Sequence, residues 1–375
     1  MKSNLPRVEP RITVKVNKID NIQNYDIDNN YPLRILDIIK ASGTAKNCSN
    51  RFAKFIIGKG FKDSKFYQAR VNRKRQTVDK VLREVVRDYS KLRGCSFHIN
   101  FNALFQVNEV TPIPFDHCRL GLPDDNGYVG KIAMYDDWGC RKRNKIDKEK
   151  IQFIDRWNPD PDVISSQVLK AGGWDKYNGQ IFWYSADGDC YPEAVIDPVV
   201  EDGVSDHSIK EFRLRNATTS FMPSHIIEYP YEFESEEEEQ NEKQNWEKFQ
   251  GTKNANKLML LQNPNPDKKI NVIKVDWQDT DKIFQVTNDT VKQSIIEAYG
   301  IPPVLANIQT PGKLGTAQEM QDAYLIYNSV TEDDRLIFEE IFKEIFSIYR
   351  NPINQTGDYS IIPLSFNLPV PPAGS

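Results

Sequence analysis

The chain has 375 residues, 39% apolar and 27% charged, with a mean hydropathy of −0.60 and a formal net charge of −4. That is chain enough for one large core or two to three smaller ones, and too apolar for wholesale disorder. The acidic balance excludes a protein that grips nucleic acid over a broad surface, because such affinity comes from Lys and Arg displacing counterions. Five scattered cysteines (Cys48, Cys95, Cys118, Cys140, Cys190) form no C-x-x-C pair, so they read as free thiols in a reducing compartment rather than a zinc site or a disulfide framework. The first residues hold no uninterrupted apolar run of the signal-peptide kind, and no stretch approaches the roughly 20 apolar residues of a membrane span. Synthesis in the cytoplasm is expected.

Residues 1–30 are polar and Asn-rich and read as an extended arm. A helical pattern begins at Tyr31, with Pro32 suited to a first turn, and continues to Ile57, where Gly58 and Gly60 stop it. Arg70, Arg73, Lys74 and Arg75 form a basic run, read as a solvated linker in preference to a phosphate contact. Thr77 is placed to cap a helix whose Val78, Val81, Leu82, Val85, Tyr89 and Leu92 share one face and which Gly94 ends. From Cys95 to Trp157, and again over residues 172–196, the pattern turns to β, with a turn at Asp125–Asn126–Gly127. Helices followed by antiparallel strands predict an α+β domain.

Beyond Asp197 the plan changes. Residues 204–221 read as helix and His225–Tyr229 as a strand. Ser235 with Glu238 makes a capping box for an acidic helix that closes at Gly251. Leu258–Leu261 and Val272–Val275 read as short strands. Thr280–Tyr299 predicts a helix stopped by Gly300 and Pro302–Pro303. A Gly-bearing loop follows, and then two helices opened by Thr316 with Glu319 and by Thr331; the second carries a broad stripe of Ile337, Phe338, Ile341, Phe342, Ile345, Phe346 and Tyr349.

Candidate chemistry is sparse. Pro311–Gly312–Lys313 invites a phosphate-loop reading, but that loop needs a Gly where Asn307 stands and a Ser or Thr where Leu314 stands. Asp124–Gly127 opens like a calcium loop, yet Tyr135 occupies the place of the bidentate Glu. Asp136 with Asp137, or Asp187 with Asp189, could serve a metal-dependent nuclease, although turn and surface roles explain them. The four histidines are isolated, and no Ser or Cys stands in a nucleophile elbow. Glu236–Glu239, with Glu242 beside them, is the strongest charge feature; a solvated helix N-terminus and a docking face for a basic partner are equally good readings.

The order of parts resembles the portal proteins of tailed phages, the subunits of the head–tail connector ring. The resemblance is most specific around residues 246–350: WEKFQGTKNANKLMLLQ, the polar link DWQDTDKIF, the helix end YGIPPVLAN, the Gly-bearing loop, and the pair TAQEMQDAYLIYNSVTEDDRLIFEEIF. It implies an elongated α+β subunit of the phage portal fold. An N-terminal arm (1–30) would precede a wing of helices and antiparallel sheet (31–203). A stem helix (204–223), a small strand–helix–strand clip (224–276) and a second stem helix (277–300) would follow. A tunnel-loop region (301–316), C-terminal helices returning to the wing (317–350) and a tail (351–375) would complete it. Little chain follows Tyr349 from which to build the helical crown often seen in that family.

By the same resemblance the protein would be a structural subunit, not an enzyme, needing no cofactor and no bound metal. It would sit in a ring of twelve at one capsid vertex of the virion, assembled in the host cytoplasm, and form the channel for DNA packaging and ejection. Its partners would be the large terminase subunit, the head–tail adaptor, the capsid protein and weakly held double-stranded DNA. Lys313, Thr310, Gly312 and Gly315 would belong to the tunnel loop, with Lys313 as a phosphate contact. Glu236, Glu237, Glu238, Glu239, Glu242 and Trp246 would form the docking clip. The alternatives are another capsid or adaptor protein and, further off, the metal-dependent nuclease.

Overall fold

A computed structural model of the chain describes residues 12–188, 190–219, 225–228, 235–247, 271–274, 280–306 and 316–366. These fall into two units, one built from residues 1–203 with 294–375 and one from residues 204–293.

The first unit centres on a six-stranded sheet. Its strands are β3 (Gly94–Phe101), β4 (Val107–Ile113), β5 (Cys118–Leu120), β6 (Lys131–Met134), β7 (Gln152–Arg156) and β8 (Gln180–Ser185), in the order β4-β3-β8-β7-β6-β5. All neighbours are antiparallel except β7 and β8, whose parallel pairing needs the crossover supplied by helix α5 (Pro161–Ala171). Within the expected β region from Cys95, residues 94–113 form a hairpin of β3 and β4. Asn102 accepts from the Leu104 and Gln106 amides and donates to the Gln106 side chain, which closes the turn.

Helices α1 (Tyr31–Ala41), α2 (Gly43–Ile57), α3 (Ser64–Gln68) and α4 (Val78–Leu92) precede the sheet, and α9 (Ala317–Val330) and α10 (Glu332–Phe346) return to join them. Thr77 caps α4 as expected, accepting from the Lys80 amide at 3.3 Å. The helix ends on Arg93 in the left-handed region, φ 57°. Gly94 then starts β3, where a Cβ would meet the Phe115 ring at 2.1 Å.

The aromatic stripe of α10 fills the core between these helices and the sheet. Phe338 meets Tyr89 edge-on at 5.2 Å, Phe342 meets Phe97 at 5.9 Å, and Phe346 meets Phe66 at 5.3 Å. Tyr89 donates to Asp334 at 2.6 Å, and Arg93 pairs with the same carboxylate at 2.7 Å. Segments more than two hundred residues apart thus share one core.

Residues 12–30 are not a loose arm. Strands β1 (Lys15–Asn17) and β2 (Ile22–Asn24) form a hairpin, and Ile22 bridges to Gly121 beside β5. Ile22 and Tyr25 are fully buried, and Tyr25 stacks between Tyr31 and Tyr191 at 5.1 and 4.1 Å. Arg119, also fully buried, reaches from β5 to donate to Asn29 Oδ1 and to the carbonyls of Asn29, Asp116 and Cys118. No carboxylate balances it in that set; the Tyr25 and Trp138 rings face its guanidinium at 5.7 and 5.3 Å.

The second unit takes up α6 (Val200–Thr219) from Val204 onward. Strand β9 (His225–Glu228), helix α7 (Glu236–Glu247), strand β10 (Asn271–Lys274) and the greater part of α8 (Thr280–Ala298) follow. β9 and β10 pair antiparallel, His225 opposite Lys274 and Glu228 opposite Asn271. Asp206, fully buried on α6, is held by Lys210 one turn on at 2.8 Å. The expected strand at Leu258–Leu261 lies outside the described residues.

Candidate functional site

The expected loop residues Thr310, Gly312, Lys313 and Gly315 lie outside the described residues, but both of the loop's roots are defined. On the incoming side α8 stops as its sequence demands: Gly300 has φ 60°, Ile301 N donates to Ile296 O, and Pro302 forbids another turn. Leu305 and Ala306 then donate to the carbonyls of Pro302 and Pro303, closing a short turn that buries Leu305. On the outgoing side Thr316 Oγ1 accepts from Glu319 N at 3.1 Å and caps α9. The fully buried Tyr327 of α9 donates to Tyr299 O at 3.2 Å, tying the start of one root to the helix that follows the other. Both ends of the 307–315 segment are thus fixed.

The acidic helix has its expected cap, since Ser235 Oγ accepts from Glu238 N at 3.2 Å. Glu236, Glu237 and Glu238 are exposed. Their carboxylates crowd the positive end of the helix dipole, which favours negative charge there. Glu239, Glu242 and Trp246 lie on the same helix, α7, between the two paired strands. Their side chains lie outside the described residues.

The aspartates that a nuclease would need are occupied otherwise. Asp136 pairs with Lys142 at 3.0 Å and Arg143 at 3.1 Å, which hold its carboxyl down at about 2. Asp137 accepts from the backbone amides of Arg141, Lys142 and Arg143; desolvation opposes ionisation there, but those three donors prevail and keep its pKa low. Together the two clasp a loop. Asp187 accepts from Glu193 N at 2.7 Å, and Asp189 lies outside the described residues. Among the described residues no group of three or more His, Cys, Asp or Glu side chains could hold a metal ion.

Asp124 organises its turn as expected, accepting from Asn126 N and Tyr128 N with Gly127 at φ 83°. The cysteines are free; Cys48, Cys95 and Cys118 are buried, and burial pushes the Cys118 thiol up to about 12. Among the described residues no helix is long and apolar enough to cross a membrane.

An open cleft of about 670 Å³ lies between α5 and the β6–β7 side of the sheet. Its charged lining is of mixed sign, Lys131, Arg156, Lys170 and Lys176 against Asp155 and Asp162, with Lys131 3.9 Å from Asp155. It shows no convergent acid–base pair.

No protein-family model and no curated protein matches the sequence. Among solved structures, the chain is similar to one in the virion of a native gene transfer agent particle, with a TM-score of 0.50 at 13% identity over 77% of this chain and 74% of that one. It is similar to a chain in the neck of a native particle of that kind computed with C12 symmetry, with a TM-score of 0.44 at 13% identity over 77% and 74%. It is also similar to a phage portal protein of the HK97 family from Corynebacterium diphtheriae, with a TM-score of 0.41 at 8% identity over 76% and 81%. The α+β class expected from the sequence is the class observed, and the fold is shared with a virion component.

Proposed function

We propose that this protein is a portal-type structural subunit of a phage or phage-like particle, closing into a ring through which double-stranded DNA passes. The observation that carries the reading is the ordered run α6–β9–α7–β10–α8, then a segment whose two ends are fixed, then α9–α10 returning to the first core. The sequence phrases that resemble the portal family lie along that run. The fold likeness to a chain of a gene transfer agent virion at a TM-score of 0.50 supports it independently.

In this reading β9, α7 and β10 belong to the clip, and the acidic face of α7 docks a basic partner, the terminase or the head–tail adaptor. The segment with Lys313 touches passing DNA, and twelve copies close the ring. Helix α9 supports subunit contacts. Ala323 and Tyr327 are buried on one side, while Leu325 is 69% and Ile326 58% exposed away from it. A helix that is apolar on two faces is accounted for by a second neighbour, and a ring is closed by contacts between unlike faces of identical subunits.

The test is particle assembly with altered subunits. Lys313→Ala is expected to give normal rings that package less DNA. Glu236→Lys with Glu237→Lys is expected to leave rings intact and weaken terminase or adaptor binding. Wild-type packaging together with wild-type docking in these variants would overturn the placement of both functions.

A further inference from the structure

The basic run Arg70–Arg75, which the sequence presents as a linker, is a rigid hairpin. Arg70 bridges to Thr77, Val71 N donates to Gln76 O, and Arg75 N donates to Asn72 O, with Arg75 in the left-handed region at φ 59°. Asn72 locks the turn, accepting from Gln76 N at 3.0 Å and donating to Gln76 Oε1 at 2.7 Å and to Val110 O at 3.1 Å. Val110 N donates in turn to Val71 O, so the hairpin is fastened to β4.

Glu109 of β4 takes Arg73 in a bidentate grip, at 2.9 Å to Nη2 and 3.1 Å to Nε, and accepts from its backbone N–H at 2.8 Å. That carboxylate is spent on holding the turn. Arg350 joins the group from the segment after α10, where its N donates to Val107 O and its Nη1 to Asn108 Oδ1 at 2.6 Å. The hairpin, Asn108 and Arg350 enclose an open hollow of about 300 Å³. Arg70 and Arg350 line it and are exposed, and Lys74 and Arg75 are exposed at the turn of the hairpin. Among the described residues Arg70, Lys74 and Arg75 have no carboxylate partner.

We propose that this hairpin and Arg350 form a contact for the phosphate backbone of duplex DNA, separate from the loop that carries Lys313. The backbone that carries the cations is fixed before any ligand arrives, so little loop entropy is lost on binding. Asn108 adds an amide to the arginines, the donor set that contacts phosphates. A protein partner would call for an apolar centre, yet none of the large exposed apolar side chains lies in residues 68–77, 107–110 or 347–351. In a chain of net charge −4 this is a local positive site, suited to weak, sequence-independent contact. The choice of duplex DNA as the polyanion rests on the reading in the preceding subsection; the unpaired cations do not.

The experiment is fluorescence anisotropy of a labelled 20-base-pair duplex with the full-length protein, titrated at salt concentrations between roughly 50 and 200 mM. Each phosphate contact adds about 0.9 to the slope of log K against log salt. Neutralising Arg70, Lys74 and Arg75 together (R70Q/K74Q/R75Q) is expected to reduce the slope by about 2 to 3. Lys170→Gln with Lys176→Gln, on the α5 side of the cleft, is expected to leave it unchanged, and circular dichroism would verify that each variant is folded.

An unchanged slope in the hairpin variant overturns the proposal, as does a wild-type protein that binds polyglutamate more tightly than the duplex. A slope that falls in Lys313→Ala but not in the hairpin variant overturns it too, while leaving the channel reading intact.

Discussion

Two single side chains carry most of the risk in this molecule. Arg119 is fully buried and satisfies four oxygen acceptors, two of them on Asn29. Removing it strands those acceptors in a dry environment, where each unpaired group costs about 1–3 kcal/mol. Arg119→Met should therefore destabilise the first unit by at least about 3 kcal/mol in a denaturant titration. Arg119→Lys should recover little, because an ammonium cannot span the same fork.

Asp88 is the second. Desolvation pushes its carboxyl up to about 6, with Asp116 and Glu84 adding to the rise and Lys91 and the Phe115 N–H opposing it. A folded pKa above the unfolded one means the protonated form is favoured by folding. Its stabilising contribution is present at low pH and is lost as pH rises through about 6. Relative to Asp88→Asn, the wild type should gain melting temperature between pH 7 and pH 5. Parallel melting curves across that window would contradict the assignment. Neither residue declares itself in the sequence: Arg119 stands between Cys118 and Leu120 in a three-residue strand, and a lone charge in a short strand carries no mark of burial.

At the scale of elements, what the sequence makes legible is what local physics decides. Helix α4 has its cap and its periodic apolar face where the pattern puts them, while its left-handed end falls on Arg93 and the expected Gly94 already begins β3. The stems of the 307–315 loop are legible for the same reason, since Gly300, Pro302 and the Thr316–Glu319 pair act within a few residues. Helix α5 escapes the reading although Asp160 caps it and Pro161 opens it, because only Ile164 and Val168 are buried along its length. The β pattern of residues 172–196 yields one strand, β8, because the aromatic side chains outside it serve other contacts: Trp174 meets Phe105, and Tyr191 stacks on Tyr25.

Thr331 suits an N-cap by type but donates to Tyr327 O instead, and α10 begins without a side-chain cap. Thr316→Ala should thus cost about 1 kcal/mol through its lost cap. Thr331→Ala should show no N-cap deficit in the fraying of α10, a contrast that amide exchange can resolve. Phe342→Ala, which removes the ring wedged among Phe61, Phe97 and Phe346, should cost about 3–5 kcal/mol.

At the scale of the whole molecule, the candidate motifs are taken up by structural contacts among the described residues, and the proposed function is an assembly. The phosphate-loop likeness around Lys313 fails on residue type at both ends, and the paired aspartates clasp a loop. What remains are a segment (307–315) with both ends fixed, an acidic helix that follows β9 and precedes β10 in the chain, a basic hairpin built against β4, and a helix, α9, with Leu325 and Ile326 exposed. In the proposed ring those two side chains meet a neighbouring subunit. Leu325→Asp with Ile326→Asp should leave a folded chain, with an unaltered circular dichroism spectrum, that no longer assembles. The measurement that bears most directly on the central claim is negative-stain electron microscopy of the purified full-length protein. The account predicts closed rings with a central hole in the wild type and none in that double variant. Shells, filaments or isolated monomers in the wild type would contradict it.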